Sequence, residues 1–479
     1  MDILSKVIES VTKNFHKSVN EYNLNELFSY GVINDFNHYI NMIKCIDYNS
    51  VNFSINMYKE FINKIEDNFF NSSYRKQFCE VINYKDTRDL WTLFGNVVFK
   101  RRYYYDKLKN RKFYFVDEVL MLPKGLRFDP FVCAKVCECA SYDSYAKAGR
   151  TVSELIGRRL KFYEETDRYL INRATARNIV HRFKIPKLPY VLRDTPKILY
   201  VMLDEKWVHS QFNNGLDHMV KAAVVFEDID VVYKTKKASS KYRYKLLGKY
   251  VLASIDNDLH QQVLDYIYYS YETENLKEIV FMGDCALWVK NFKDGFKYHP
   301  DLKITFSIDG YHYSQAIQHI CTNKYEHLIN SFKEAIMDND RKTFINLCKV
   351  IVEFEPHRKE TVEEKQNYIL NNWKFIQNYY HKVCVKCSME AHISHCFADI
   401  FTSRPRAYST KGLRQLLKLR LLKCNGIDIQ KTYFEVLNKE YEDKNILDLS
   451  YSSSTNPKTT YEIKQKLNCY SDNNQILLC

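Results

Sequence analysis

The chain of 479 residues holds only 12 glycines and 9 prolines. Its abundance of Asn, Lys, Ile, Tyr and Phe reads as AT-rich coding of the low-GC bacterial kind, which carries no mechanism. No uninterrupted apolar run approaches the ~18 residues that a bilayer-spanning helix needs. The first thirty residues lack a basic start followed by an apolar stretch, so no secretory leader is expected. The 14 cysteines have no regular spacing, which argues against a disulfide framework and for reduced thiols inside a cell. One further lack is local. From Val231 to Ser254 there is no acidic residue, yet Lys234, Lys236, Lys237, Lys241, Arg243, Lys245 and Lys249 all fall there.

What is present is an ordinary globular composition, 46% hydrophobic and 27% charged, at a length that suits roughly three domains. The formal charge of +13 points to a polyanionic partner or to a generic basic surface. The most informative stretch is Lys197 to His209. Six apolar or aromatic residues, Ile198 to Leu203, run into Asp204, the pattern of a strand buried on both faces. A carboxylate leaving the core there suits a metal ligand, although strand-end turns also use aspartate. The pattern returns in Glu278-Ile-Val-Phe-Met-Gly-Asp284 and again in Leu302-Lys-Ile-Thr-Phe-Ser-Ile-Asp309. Apolar strands ending in aspartate and alternating with helices predict an α/β sheet with carboxylates along one edge.

Elsewhere the patterns are simpler. Residues 1–90 read as short amphipathic helices, with Leu4, Val7, Ile8 and Val11 at helical spacing. Asn96–Tyr105 and Arg111–Val116 predict a β-hairpin around a Lys107–Asn110 turn. Its Arg101 and Arg102, among Tyr and Phe, suit phosphate contact and base stacking, or equally a half-buried strand pair. From Asn172 to Phe183 an N-cap, an apolar stripe (Ala176, Val180, Phe183) and a face with Arg173, Arg177 and His181, closed by Arg182, describe a DNA-recognition helix or a plain surface helix. The gap from Gly157 to Ile171 is longer than a tight helix-turn-helix turn. Pro186, Pro189 and Pro196 mark a boundary near 190. The basic run beginning at Val231 is a solvated face or a phosphate contact. Residues 323–383 are helical throughout, on the stripes Leu328/Phe332/Ile336, Phe344/Cys348/Ile351 and Ile369/Trp373/Ile376. A helix over 388–400 turns Met389, Ile393 and Phe397 inward and leaves Glu390 on an adjoining face, with Arg404 and Arg406 after it. Cys384-x-x-Cys387 has zinc-ligand spacing, but a second such pair is missing, and His392, His395 and Cys396 fall on the helix of Glu390. Trp207 and Trp288 read as core, Trp288 close enough to the acids to flank a strand end.

Acidic residues at neighbouring strand ends, with one more on a later helix, are what two-metal phosphoryl chemistry needs: two hard cations ~4 Å apart, bridged by carboxylate oxygens. The motifs Leu203-Asp204-Glu205-Lys206-Trp207, Gly283-Asp284-Cys285-Ala286-Leu287-Trp288, Asp309-Gly-Tyr-His312 and Ser388-Met-Glu390-Ala-His-Ile-Ser-His395 resemble those of bacterial insertion-sequence transposases of the ISLre-two type, relatives of the Mutator-like DDE transposases. Ser403-Arg-Pro-Arg406, Asn425-Gly426 and the block from Phe94 to Tyr145 share the resemblance, which covers about residues 90–430.

The resemblance implies a ribonuclease H-like catalytic domain with an all-helical insertion, preceded by a mostly helical DNA-binding region with a β-hairpin. It implies catalytic, metal-holding Asp204, Asp284 and Glu390, two Mg²⁺ ions (Mn²⁺ as a substitute), and Asp309, His312, His395 and Trp288 nearby. Glu205 competes with Asp204 as a ligand. The expected order is an N-terminal helical region (1–90), a DNA-binding region (91–189), the catalytic core (190–322), the insertion (323–383), the core's last part (384–435) and a polar tail (436–479). The expected partners are double-stranded DNA, both element ends and target, contacted through the basic residues above, and further copies of the chain in a dimer or higher oligomer. The expected location is the bacterial cytoplasm, at the nucleoid. The competing readings are a transposase-derived protein that binds DNA without catalysis, and a nuclease that uses only water.

Overall fold

A computed structural model describes residues 36–156, 170–211, 217–234, 242–284, 286–380, 392, 394–402 and 407–443. The chain divides into two compact units, residues 1–184 with 429–479, and residues 185–428. No described helix is long and apolar enough to cross a membrane.

In the first unit, helix α1 (Phe36–Asn71) and the short α2 (Ser73–Phe78) lead into an antiparallel sheet of β1 (Cys79–Thr92), β2 (Gly95–Asp106) and β3 (Arg111–Tyr114). The expected hairpin is β2 with β3, but the longer partner of β2 is β1. Over residues 36–90 the expected short helices are corrected to one 36-residue helix, the short α2 and a 14-residue strand, while Leu4, Val7, Ile8 and Val11 lie outside the described residues. The strand escaped a period-two reading because its register shifts twice, between Val81 and Asn83 and between Asn83 and Asp86, and each shift resets which face a side chain takes.

After α3 (Phe115–Val119) come three mutually packed helices, α4 (Pro130–Ala140), α5 (Tyr145–Ile156) and α6 (Arg173–Arg182). The late helix Ile429–Asp443 closes over α4, with Phe434 against Phe131 and Tyr433 against Phe183.

The second unit is built on a five-stranded mixed sheet in the order β10-β9-β4-β5-β8. Its strands are β4 (Ile198–Val208), β5 (His218–Phe226), β8 (Tyr250–Ser254), β9 (Glu278–Gly283) and β10 (Lys303–Ile308). β4, β9 and β10 run parallel, while β5 is antiparallel to both β4 and β8. A ribbon of β6 (Asp228–Lys234) and β7 (Tyr242–Leu247) lies between β5 and β8 in sequence. Leu199, Val201 and Leu203 of β4 join Ala223, Val225, Ile279 and Phe281 in one core with α7 (Leu259–Ser270). Past β9 the short α8 (Leu287–Lys290) leads to β10. A helical module of α9 (Gly310–Cys321), α10 (Ile329–Met337), α11 (Arg341–Phe354), α12 (Lys359–Asn371) and α13 (Trp373–Tyr380) follows. The three expected apolar stripes fill its core, all fully buried or nearly so except the partly buried Leu328.

Both sheet edges are closed by asparagine amides. Asn425, which caps α14 (Thr410–Cys424), donates to Val251 O at 2.8 Å and accepts from Val251 N at 2.7 Å on β8. Asn378 of α13 donates to Phe306 O of β10 at 2.8 Å. Unpaired edge groups are a template for another strand, and these side chains occupy part of it.

Asp129, the N-cap of α4, is 2% exposed and accepts from Val132 N at 2.7 Å. Burial pushes its carboxyl up to about 7, against the backbone hydrogen bonds that favour the charge. An unfolded aspartate ionises near ~4. This group's contribution to stability is therefore complete in acid and lost as pH rises through neutrality. Asp129→Asn keeps a good cap and is expected to raise unfolding stability at pH 8 by roughly 1–3 kcal/mol, falling to a few tenths near pH 4. Denaturant titrations at both pH values check this; an equal effect at both would remove ionisation as the cause.

Candidate active site

The acids of the second unit are brought together by register. Met202 pairs with Met282 across the parallel β4–β9 ladder, and Ile308 with Gly283 across β9–β10. Counting on along each strand puts Asp204, Asp284 and Asp309 at one level on three neighbouring strands. Residues level in a parallel ladder point to the same face, and neighbouring strands lie about 4.8 Å apart. Asp204 takes the face opposite Leu199, Val201 and Leu203 by the alternation of β4, while Asp284 and Asp309 are the first residues past β9 and β10.

Asp204 does not end its strand, as expected, but lies within it. β4 runs on to Val208 along β5, while its pairing with β9 stops at Met202. Asp204 thus sits just past the last residue of β4 that pairs with β9. Its side chain is 7% exposed, and its Oδ1 accepts from Glu205 N at 2.7 Å. Asp284, half-buried, follows Gly283, and its Oδ1 accepts from Ala286 N at 3.0 Å. Gly283 is needed here. A Cβ would stand 2.7 Å from the Leu203 carbonyl oxygen, so the glycine is what lets β9 close on β4 immediately before both acids.

Asp309 caps α9, its Oδ1 accepting from Tyr311 N at 3.1 Å. Its Oδ2 is buried without a hydrogen-bond partner, as is Nδ1 of His312, and the two groups stand 3.7 Å apart. The His312 imidazole is held toward its charged form first by Asp309, then by the charges of Asp204 and Asp284, with burial opposing. The histidine therefore senses all three carboxylates. Among the described residues no three His, Cys, Asp or Glu side chains stand close enough to hold a metal ion by themselves. Glu390 lies outside the described residues, as do His381, Cys384 and Cys387.

The rim departs from expectation in several places. Glu205 does not compete with Asp204: it faces the other way and accepts from Trp288 Nε1 at 3.2 Å. Lys221, paired with Glu205 across β4–β5, sits 5.6 Å from the Trp288 ring. Trp288 packs against the core as expected. Trp207 does not; it is 52% exposed, because β4 there has run past the helices that cover the sheet. His395 is exposed in a π-helical turn, Ser394–Ala398, whose His395 and Cys396 carbonyls accept from Arg420. The Cys396 thiol is pulled down by a hydrogen bond from Cys424, with burial opposing, so its described partner is a thiol. Tyr368 of α12, which the sequence gave no reason to single out, donates to the Asp284 carbonyl at 3.2 Å.

The expected DNA contacts divide. Arg101 and Arg102 are corrected. Arg101 pairs with Asp117 and lies 3.6 Å from the centre of the Tyr114 ring, while Arg102 pairs with Asp67 at 3.1 Å and covers Phe70. Their charges face carboxylates of α3 and α1. On α6, Asn172 accepts from Thr175 N, and Ala176, Ile179 and Val180 are buried. Arg173 and Arg177 are exposed; Arg182, also exposed, donates to Lys124 O at 2.7 Å. His181 does not share the arginine face: its Nε2 lies 3.1 Å from the Tyr145 hydroxyl of α5. The entry to α6 is fixed by Ser153, whose hydroxyl accepts from Ile171 N at 2.8 Å and donates to Gly149 O. Arg243 lies in β7, while Lys236, Lys237, Lys241, Arg404 and Arg406 lie outside the described residues.

Comparison with known proteins places the chain. A family profile described as "Uncharacterised protein family (UPF0236)" matches residues 46–438. The chain belongs to UPF0236. Two UPF0236 proteins of Caldanaerobacter subterraneus subsp. tengcongensis are each 26% identical to it over 372 residues, covering 76% of this chain and 73% and 70% of their own lengths. A third from the same organism is 25% identical over 372 residues, covers 73% of its own length, and has a name that joins eleven locus designations.

In this UPF0236 chain, Gly283→Ala is expected to cost about 1–3 kcal/mol of stability through the clash with Leu203. A urea-unfolding midpoint equal to that of the unaltered chain would show that the strands do not need the close approach.

Proposed function

We propose that this UPF0236 chain is a DDE transposase, catalysing Mg²⁺-dependent cleavage of DNA strands and their transfer to a target. The observation that carries the reading is the register of β4, β9 and β10, which sets Asp204 within β4 level with Asp284 and Asp309, the residues that directly follow β9 and β10. The order β8-β5-β4-β9-β10, with only β5 reversed, supports a ribonuclease H-like sheet, and the module from α10 to α13 fits the helical insertion expected over 323–383. The eleven locus designations under one relative's name suit a sequence that spreads copies of itself through a genome.

The donor set suits a hard cation. Asp204 and Asp284 offer carboxylate oxygens, and Asp309 keeps a buried oxygen without a hydrogen-bond partner. Glu390, by the family resemblance, adds the missing ligand. Mg²⁺ bound there would supply Lewis-acid stabilisation of a phosphoryl group and favour ionisation of the attacking hydroxyl. The chain's own residues do the rest. The carboxylates of Asp204 and Asp284 are oriented by hydrogen bonds accepted from Glu205 N and Ala286 N. His312, held toward its charged form, keeps a proton beside the acids and complements the Asp309 carboxylate. In the first unit, α6 presents Arg173 and Arg177 on a face suited to a DNA groove and its phosphates. The proposed partners are double-stranded element ends and target DNA, bound by a dimer or higher oligomer at the bacterial nucleoid.

The test is cleavage and joining of element-end DNA with Mg²⁺, using the unaltered chain beside Asp284→Asn. A metal-bridging carboxylate has no substitute in an amide, so a loss of about 10³-fold or more is expected. Equal activity in both would remove the catalytic assignment. Cleavage without joining to a supplied 3′-OH would favour the nuclease that uses only water.

A further inference from the structure

We infer that Tyr368 is a positioning residue for Asp284, and that the helical module acts as a brace that sets the spacing of the acids. The inference rests on the metal-site reading above. Its basis is a set of contacts from α12 and α13 onto both turns that carry acids.

At the β9–α8 turn, the Tyr368 hydroxyl donates to the backbone carbonyl of Asp284 itself, at 3.2 Å. A few residues on, Lys290 Nζ donates to Asn372 Oδ1 at 3.3 Å, and the same ammonium lies 5.2 Å from the Phe375 ring. At the end of β10, Asn378 Nδ2 holds Phe306 O at 2.8 Å. The Tyr379 hydroxyl crowds Gly310 so closely that a Cβ there would stand 2.6 Å from it. Gly310 is the first residue of α9, next to its cap Asp309, so this contact bears directly on the Asp309–His312 pair.

The two turns therefore lean on one rigid body. At the β9–α8 turn Asp284 Oδ1 accepts from Ala286 N, Gly283 O accepts from Asp309 N at 2.9 Å, and the ladder with β4 has ended at Met282, so the Tyr368 bond is a hold on Asp284 from outside the sheet. Metal affinity depends on carboxylates held to within about half an ångström, and the Tyr368 bond fixes the backbone carbonyl of the residue that carries one of them. Outer groups that orient ligands typically change metal affinity tenfold or more when removed.

The experiment is a Mn²⁺ titration followed by electron paramagnetic resonance, with Mn²⁺ standing in for Mg²⁺, on the full chain. Tyr368→Phe keeps the ring and removes only the donor. It is expected to weaken Mn²⁺ binding by about 5–20-fold while the maximum signal per chain stays the same. Gln377→Ala removes a bond of similar kind inside the module, Gln377 Nε2 to Ile336 O at 2.8 Å, and is expected to leave the affinity unchanged. Tight binding by the unaltered chain with an unshifted Tyr368→Phe overturns the brace and leaves the metal site standing. An equal shift in Gln377→Ala makes the effect one of general stability and overturns it too. An unaltered chain that binds no Mn²⁺, like an Asp284→Asn control, removes the metal reading and the brace together.

Discussion

The register of three parallel strands is the constraint on which the rest of the second unit depends. β4, β9 and β10 are locked so that Ile198, Glu278 and Lys303 stand level. Counted on past the last paired residues, Met282 and Ile308, that register sets Asp204, Asp284 and Asp309 level. A slip of one residue in either ladder would turn an acid into the apolar core and an apolar side chain out. The core of Leu203, Phe281 and their neighbours thus holds the carboxylates in place through the hydrophobic energy of the opposite face. Gly283 shows how tightly the constraint is drawn, because the strand pair tolerates no side chain just before the acids.

Around that edge, polar side chains do what a regular ladder would otherwise do. Asn425 pairs both backbone groups of Val251, Asn378 and Tyr368 take single carbonyls, and Asp309 caps the first helix of the module. The result is a sheet whose end is held from the side by helices. The cost falls on Asp309 and His312, which share a buried corner without completing a hydrogen bond. Buried polar groups in native proteins are rarely left so, and a cluster of negative charge with one imidazole turned toward it is the arrangement expected where a cation or a proton is handled. In the first unit the balance is different. Arg88, Arg101 and Arg102 of the sheet are paired with Asp117 of α3 and Asp67 of α1, and exposed positive charge is left on α6.

Much of this was legible in the residues. Apolar runs closing on Asp204, Asp284 and Asp309 announced the sheet, and the stripes of the helical module named its core almost residue by residue, because burial imposes a period that sequence carries openly. Asn172 declared the start of α6 through the chemistry of an N-cap. What could not be read were features whose cause lies across the fold. β1 is masked by its bulges. Arg101 and Arg102 look like phosphate ligands until the carboxylates on other elements that neutralise them are known, since charge in sequence does not reveal its partner. The continuation of β4 past Asp204 depends on β5 extending beyond β9. Tyr368 adjoins the buried Ile369 in a helical stripe, and nothing local marks a hydroxyl that reaches a strand end 84 residues away.

The central claim is that one cation site joins the strand-end acids to Glu390. Fe²⁺ bound in place of Mg²⁺, with ascorbate and peroxide, releases hydroxyl radicals that cut the backbone within a short radius of the metal, and mass spectrometry locates the cuts. The account predicts cleavage at three separate places, beside Asp204, beside Asp284 and beside Glu390, all suppressed by excess Mg²⁺. Cuts at the two aspartates with an untouched backbone around Glu390, or cuts that Mg²⁺ does not suppress, would contradict it.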